Sequence, residues 1–137
     1  MDQGFLDNLD VEARGRWWET ALGREANLVH VAEVEGAIEG FCLSGASTES
    51  GWGEVYAIYV TPGHWGVGLG RALLTGGESD LAGAGYLQAL LWVLIGNTRA
   101  RAFYERQGWA LGRSIRVESI GGADVTEVRY EKSLERP

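Results

Sequence analysis

The stretch that most limits what this chain can become runs from Tyr59 to Leu74, Tyr-Val-Thr-Pro-Gly-His-Trp-Gly-Val-Gly-Leu-Gly-Arg-Ala-Leu-Leu. An apolar run from Val55 to Val60 stops at Thr61-Pro62, a glycine-rich turn follows, and Arg71-Ala72-Leu73-Leu74 opens a helical pattern, so the order is strand, loop, helix. Gly66, Gly68 and Gly70 remove the side chain from alternate residues where the helix begins, which lets backbone amides close around an anion. An amide bonded to a charged oxygen contributes about 1.5–3 kcal/mol and the helix dipole about 0.3–1 kcal/mol. Several amides together therefore outweigh any single side chain.

Spacing separates this loop from two nucleotide-binding loops that use the same physics. A dinucleotide fingerprint needs G-x-G-x-x-G, but counting from Gly66 the last position is Arg71, and from Gly68 it is Leu73. A P-loop needs G-x-x-x-x-G-K-[ST]; Gly63 and Gly68 fit its glycines, yet Leu69 and Gly70 stand where Lys and Ser/Thr belong. A second motif follows the strand-like Leu90-Leu91-Trp92-Val93-Leu94: Asn97-Thr-Arg-Ala-Arg-Ala-Phe-Tyr-Glu-Arg-Gln-Gly-Trp109.

The first stretch resembles the acetyl-CoA pyrophosphate loop of the GCN5-related N-acetyltransferase (GNAT) family, and the second resembles that family's N-x-x-A-x-x-F-Y-x-x-x-G-F segment, with Trp109 in place of the usual Phe. The resemblance runs from about residue 28 to 134 and implies an α+β fold, the three-layer arrangement of that family. Its sheet is mixed and mostly antiparallel, with a central parallel β-α-β crossover.

The chain of 137 residues, 45 % of them hydrophobic, predicts one domain over 1–137 with a sizeable core. Cys42, the single cysteine, excludes an internal disulfide and reads as a buried structural thiol. No apolar run is long enough for a membrane span and Met1-Asp2-Gln3-Gly4 lacks the basic start of a signal peptide, so a cytoplasmic protein is expected. Charge is uneven: residues 1–60 hold 11 Asp/Glu against 3 Arg, and residues 61–137 hold 8 Asp/Glu against 9 Lys/Arg. An acidic half suits a cationic acceptor, a near-neutral half with Arg71, Arg99 and Arg101 suits a phosphorylated cofactor, and nucleic acid is a poor partner. No metal is expected.

Along the chain, Asp10 caps an amphipathic helix over Val11–Leu22 with Trp17-Trp18 as its buried edge. No strand is legible before it, so the N-terminal strand and helix are read as shortened relative to the family. Asn27–Val34 and Ala37–Ser44 form a hairpin around Glu35-Gly36, and a Gly/Ser/Thr-rich loop leads to a strand over Trp52–Val60. The helix from Gly66 or Gly68 to Ala82 carries Gly76-Gly77 at a cost of about 1 kcal/mol per glycine, which only close packing accounts for. Tyr86–Ile95 is a strand buried on both faces and parallel to the Trp52 strand. Asn97 or Thr98 caps the next helix, Gly108 ends it, and Ala110–Ser119 with Val125–Lys132 make a closing hairpin.

The resemblance implies transfer of an acetyl group from acetyl-CoA to a primary amine by direct attack in a ternary complex. An ammonium of pKa near 10.4 costs about 4–5 kcal/mol to deprotonate at pH 7, so a base matters. Strict alternation places Glu54 on one side of its strand with Tyr56, Ile58 and Val60, and its position resembles that of the family's glutamate base, acting directly or through water. His64 and His30 are secondary candidates. Tyr104 matches the family's general acid facing the CoA sulfur. Asn97 is read as bonding the pantetheine arm, or as a helix cap, or both. The same resemblance gives Ile58 and Val60 backbone contacts to pantetheine, and gives Trp65, Gly66, Val67, Gly68, Leu69, Gly70 and Arg71 the pyrophosphate, with Arg99 beside the cofactor. Trp65 replaces a usual Arg or Gln, and Ile95 a residue that is often polar. The shortened N-terminus motivates two further expectations: a non-catalytic acyl-CoA-binding or regulatory domain as the alternative, and a homodimer covering an exposed edge and the Trp17-Trp18 face. A ligand-free interaction module would require a purely structural glycine loop.

Overall fold

The computed structural model describes residues 28–64 and 68–134. The helix expected over Val11–Leu22, the Trp17-Trp18 edge and the loop residues Trp65, Gly66 and Val67 lie outside the described residues. Strands β1 (Leu28–Val34), β2 (Ala37–Ala46) and β3 (Gly53–Val60) are followed by a 3-10 turn at Pro62–His64 and helix α1 (Leu69–Gly83). Strand β4 (Gln88–Leu94), helix α2 (Thr98–Arg106), β5 (Ala110–Ile120) and β6 (Ala123–Ser133) follow. The six strands lie in one sheet in the order β1-β2-β3-β4-β6-β5. Among the described residues only the β3–β4 pair is parallel, as expected for the central crossover through α1. The mixed, mostly antiparallel architecture anticipated from the sequence is therefore the one observed.

Glu35 and Gly36 both have positive φ (52° and 83°), the backbone that a two-residue hairpin between Val34 and Ala37 needs. Strand β2 outruns its expected end at Ser44 because Gly45 and Ala46 still pair with Glu54 and Gly53.

Helix α1 and helix α2 pack on the same face of the sheet, where Cys42, Val55, Ile58, Val60, Leu73, Leu74, Leu81, Leu91, Val93, Tyr104, Val128 and Tyr130 form the core. The Gly76-Gly77 pair has its explanation here. A Cβ on Gly76 would fall 2.3 Å from the His30 ring, and one on Gly77 only 2.5 Å from Cys42 Sγ. The sheet returns the arrangement: Gly40 lies under Leu73 and Gly53 under Leu81, at 2.8 and 3.0 Å from an added Cβ. Helix glycines above strand side chains, and strand glycines below helix leucines, bring α1 close enough to seat its first turn at the end of β3. Burial drives the Cys42 thiol pKa up to about 12, so it is an inert core group, as expected.

Trp109 also finds a reason. Its indole Nε1 donates to Glu78 Oε2 at 3.1 Å, and Lys132 Nζ donates to the other oxygen of Glu78 at 2.9 Å and to Gln107 O at 2.8 Å. A phenylalanine there would lose the donor that ties the end of α2 to α1.

Candidate functional site

The site begins where β3 and β4 part. They pair only through Gly53–Ala89 and Glu54–Leu90, and beyond that row their ladder ends. The chain leaves β3 at Thr61, whose amide donates to Glu39 O at 2.9 Å and whose Oγ1 donates to Glu39 Oε2 at 2.7 Å. His64 Nδ1 lies 3.0 Å from the same Thr61 Oγ1 and 3.5 Å from Glu39 Oε2, which fixes the start of the loop. Gly68 then caps α1 with φ 86°, a left-handed conformation that glycine adopts without strain. No acidic residue occupies the first turn of α1, Arg71 there is exposed, and a Cβ added at Gly70 would meet Phe103 and Val60 at ordinary contact distance. An anion-compatible helix start thus abuts the end of β3 and helix α2, as the cofactor reading of Gly68, Leu69, Gly70 and Arg71 requires.

On α2, Asn97 is the N-cap: its side-chain oxygen accepts from Ala100 N at 3.1 Å. Arg99 is exposed. Arg101 departs from the expectation of a phosphate partner. Its Nε donates to Tyr130 Oη at 3.2 Å and its Nη1 to Ile95 O at 2.9 Å, so the guanidinium braces the β4–α2 turn. Tyr130 Oη in turn donates to Glu105. Tyr104 is buried, its ring 5.3 Å from Phe103, 6.5 Å from Trp109 and 6.3 Å from Tyr130 between centroids. Rings on three sides hold the phenol in one orientation.

Strand β3 carries a correction to the sequence reading. Leu43 pairs with Ala57 but Ser44 with Val55, so Tyr56 is an extra residue and β3 bulges there. The bulge reverses the alternation. Glu54 shares a face with Ala57 and Tyr59, whereas Ile58 and Val60 point with Val55 into the core under α1. Strict alternation had put Glu54, Ile58 and Val60 on one side.

The face that Glu54 occupies carries a charged cluster beside the buried Leu43, Ala57 and Leu90. Along β6, Glu127, Arg129 and Glu131 stand opposite Leu94, Trp92 and Leu90 of β4. Arg129 pairs with Glu49, lies 2.7 Å from Glu131 Oε2 through its Nε, and stacks over the Trp52 ring at 4.6 Å. Arg116 of β5 contacts Glu127 at 2.8 Å and Glu118 at 3.3 Å, and stacks over Trp92 at 4.5 Å. Burial raises the Glu54 carboxyl above its ordinary range, while a hydrogen bond from Ser47 and the charges of Arg116 and Arg129 pull it partly back. A carboxylate held in this way is a stronger base than one in water. His30, the other secondary base candidate, has its Nδ1 3.3 Å from Asp80 Oδ2 under α1.

The structure therefore gathers Gly68–Arg71, Ile58, Val60, Asn97 and Tyr104 on the helix side and sets Glu54 on the other. Trp52, Glu49, Arg116 and Arg129 were not anticipated; the alternation Glu127, Arg129, Glu131 was the available signal. Among the described residues, no cluster of three or more His, Cys, Asp or Glu is arranged to hold a metal, and no helix is long and apolar enough to cross a membrane.

A family profile described as Acetyltransferase (GNAT) family matches residues 4–109. A mycothiol acetyltransferase from Streptomyces avermitilis is 36 % identical over 111 residues, covering 80 % of this chain and 34 % of the relative. The chain thus spans about a third of the length of the curated relatives it matches. The ribosomal-protein-S18-alanine N-acetyltransferase from Escherichia coli has the same fold, with TM-score 0.73 at 21 % identity over 89 % of this chain and 77 % of that one. A structure from Bacillus anthracis str. Ames, solved in complex with acetyl coenzyme A, gives TM-score 0.71 at 15 % identity over 85 % and 68 %.

Proposed function

The chain belongs to the acetyltransferase (GNAT) family, and on that premise we propose that it transfers the acetyl group of acetyl-CoA to a primary amine by direct attack in a ternary complex. The observation that carries this reading is the parting of β3 from β4 after two residue pairs, with the start of α1 and the Tyr104 ring on one face and Glu54 on the other. An extended pantetheine arm fits such a parting, using backbone groups of Ile58 and Val60, with Asn97 at its far wall. The amides from Gly68 into α1 suit the pyrophosphate, and Arg71 and Arg99 add positive charge where no acid competes in the first turn of α1.

In this reading Glu54 takes the ammonium proton of the acceptor, directly or through water, and the neutral amine attacks the acetyl carbon. A backbone amide of β3 stabilises the developing oxyanion, and Tyr104 gives a proton or hydrogen bond to the departing thiolate. Glu49, Glu118, Glu127 and Glu131 outnumber Arg116 and Arg129 on the Glu54 face, which favours a cationic acceptor.

Calorimetric titration with acetyl-CoA, with ATP and NAD as controls, tests the cofactor. Selective micromolar binding is expected. CoA release is then measured with a panel of amines that includes the acceptor of the mycothiol acetyltransferases and a peptide with an alanine α-amine. Binding with no release by any amine would leave an acyl-CoA-binding domain, and no binding by folded protein would refute the proposal.

A further inference from the structure

Glu54 sits two residues beyond Trp52, at the end of the connection from β2, and that connection is held from an unexpected direction. Residues 47–52 form a self-bonded unit: Ser47 N donates to Trp52 O at 3.0 Å, Trp52 N to Glu49 O at 3.2 Å and Glu49 N to Ser47 Oγ at 3.1 Å. Both side chains that anchor this unit, Glu49 and Trp52, grip Arg129 on β6. Strand β4 lies between β3 and β6, so the contact reaches across the β4 row of Leu90 and Trp92. Arg129 is itself nearly buried, at 8 % exposure, with Glu131 closing its remaining edge. A planar guanidinium suits this position: its edge pairs with carboxylates while its face stacks on the indole.

We propose that Arg129 is a latch that straps the β2–β3 connection across β4, and through it acts as a positioning residue for Glu54. The proposal rests on the reading of Glu54 as the base. Ser47 belongs to the strapped unit and hydrogen-bonds Glu54, so the latch acts on the carboxyl both by excluding water from it and by holding its partner. Among the described residues, the groups that act on Glu54 are Ser47 of the connection, Arg116 of β5 and Arg129 of β6, with Glu49 and Glu131 paired to Arg129 and Leu90 of β4 beside Glu54.

The test is a carbon-13 NMR titration of the Glu54 carboxyl, assigned with Glu54→Gln, in the wild type, Glu49→Gln and Trp52→Leu, with thermal melts to establish that each variant is folded. Releasing the strap hydrates Glu54, and because burial is the largest influence on its carboxyl this outweighs the loss of the Ser47 hydrogen bond, so its midpoint is expected to fall by about half a pH unit or more in both variants. The amide of residue 52 is expected to exchange about tenfold faster in both. Glu49→Gln also removes a negative charge and Trp52→Leu removes none. A shift confined to Glu49→Gln would therefore reveal a charge effect and overturn the latch, as would unchanged midpoints in both. Retained CoA release in Glu54→Gln would instead remove Glu54 as the base, an outcome independent of where its carboxyl titrates in the other variants.

Discussion

Replacing Gly77 with alanine tests how tightly α1 is seated, and the structure supplies the magnitude. The new Cβ would lie 2.5 Å from Cys42 Sγ, more than an ångström inside ordinary contact. Cys42 is fully buried in β2 between two paired strands, so neither side chain nor backbone can yield cheaply. Overpacking of this kind costs about 1–3 kcal/mol, here toward the upper end, and the helix preference of alanine over glycine returns about 1 kcal/mol. The net expectation is a loss of about 2 kcal/mol, read in urea melts as a midpoint lower by about 1 M for a domain of this size. Gly76→Ala provides the contrast. Its Cβ would meet the His30 ring at 2.3 Å, but that side chain is 43 % exposed and can swing outward, giving up only its contact with Asp80. Its loss should stay below about 1 kcal/mol. The double variant Cys42→Ala/Gly77→Ala removes the sulfur and leaves the two Cβ atoms 3.7 Å apart, an ordinary contact. It should recover about 1–2 kcal/mol relative to the sum of the single changes. Additive single effects, or a Gly77→Ala protein as stable as the wild type, would refute the account of the glycine pair.

Tyr104→Phe keeps the ring between Phe103, Trp109 and Tyr130 and removes only the hydroxyl, so turnover should fall about tenfold or more with acetyl-CoA affinity nearly unchanged; full turnover would remove Tyr104 from the mechanism. Glu54→Gln should stabilise the protein at neutral pH. The Glu54 carboxyl is raised above 4.5 in the folded state, so its favourable contribution is complete below the unfolded value and is lost as pH rises through the folded one. Variant and wild type should melt alike below pH 4.5 and diverge above it, with no divergence refuting the burial argument. Asn97→Ala removes the acceptor for Ala100 N and should cost about 1 kcal/mol in a chemical melt, whereas Asn97→Asp should retain the cap.

Much of this fold is legible in the chain because its signals are local. The hairpin at Glu35-Gly36, the end of β3 at Thr61-Pro62, and the Asn97 cap each depend on residues within a few positions of one another. Gly76-Gly77 marked itself as a packing site, since nothing else repays two glycines in a helix. Partners distant in sequence were not legible. Arg101 reads as a cation for phosphate, but Ile95 and Tyr130 engage its guanidinium. Likewise the alternating Glu127, Arg129 and Glu131 declared a polar face, but only the strand order brings Glu49 and Trp52 across to meet it.

The bulge at Tyr56 is the sharpest case, because the run Val55–Val60 reads equally well in either phase. Without the extra residue, Glu54 would point with Ile58 and Val60 beneath α1, where an unpaired carboxylate would meet Leu81 and cost several kcal/mol. Gly53 occupies that place instead, 3.0 Å from Leu81 to an added Cβ, and Glu54 emerges on the face of Ser47, Arg116 and Arg129. The Tyr56 hydroxyl donates to Ala46 O and ties the irregular strand to its neighbour. One inserted residue thus lets a single strand serve two environments: its later half builds the apolar wall under α1 and α2, and its start presents a carboxylate to the opposite side. In the proposed mechanism the Glu54 carboxyl and the Tyr104 phenol therefore lie on opposite sides of the sheet, with the parting of β3 from β4 as the passage between them.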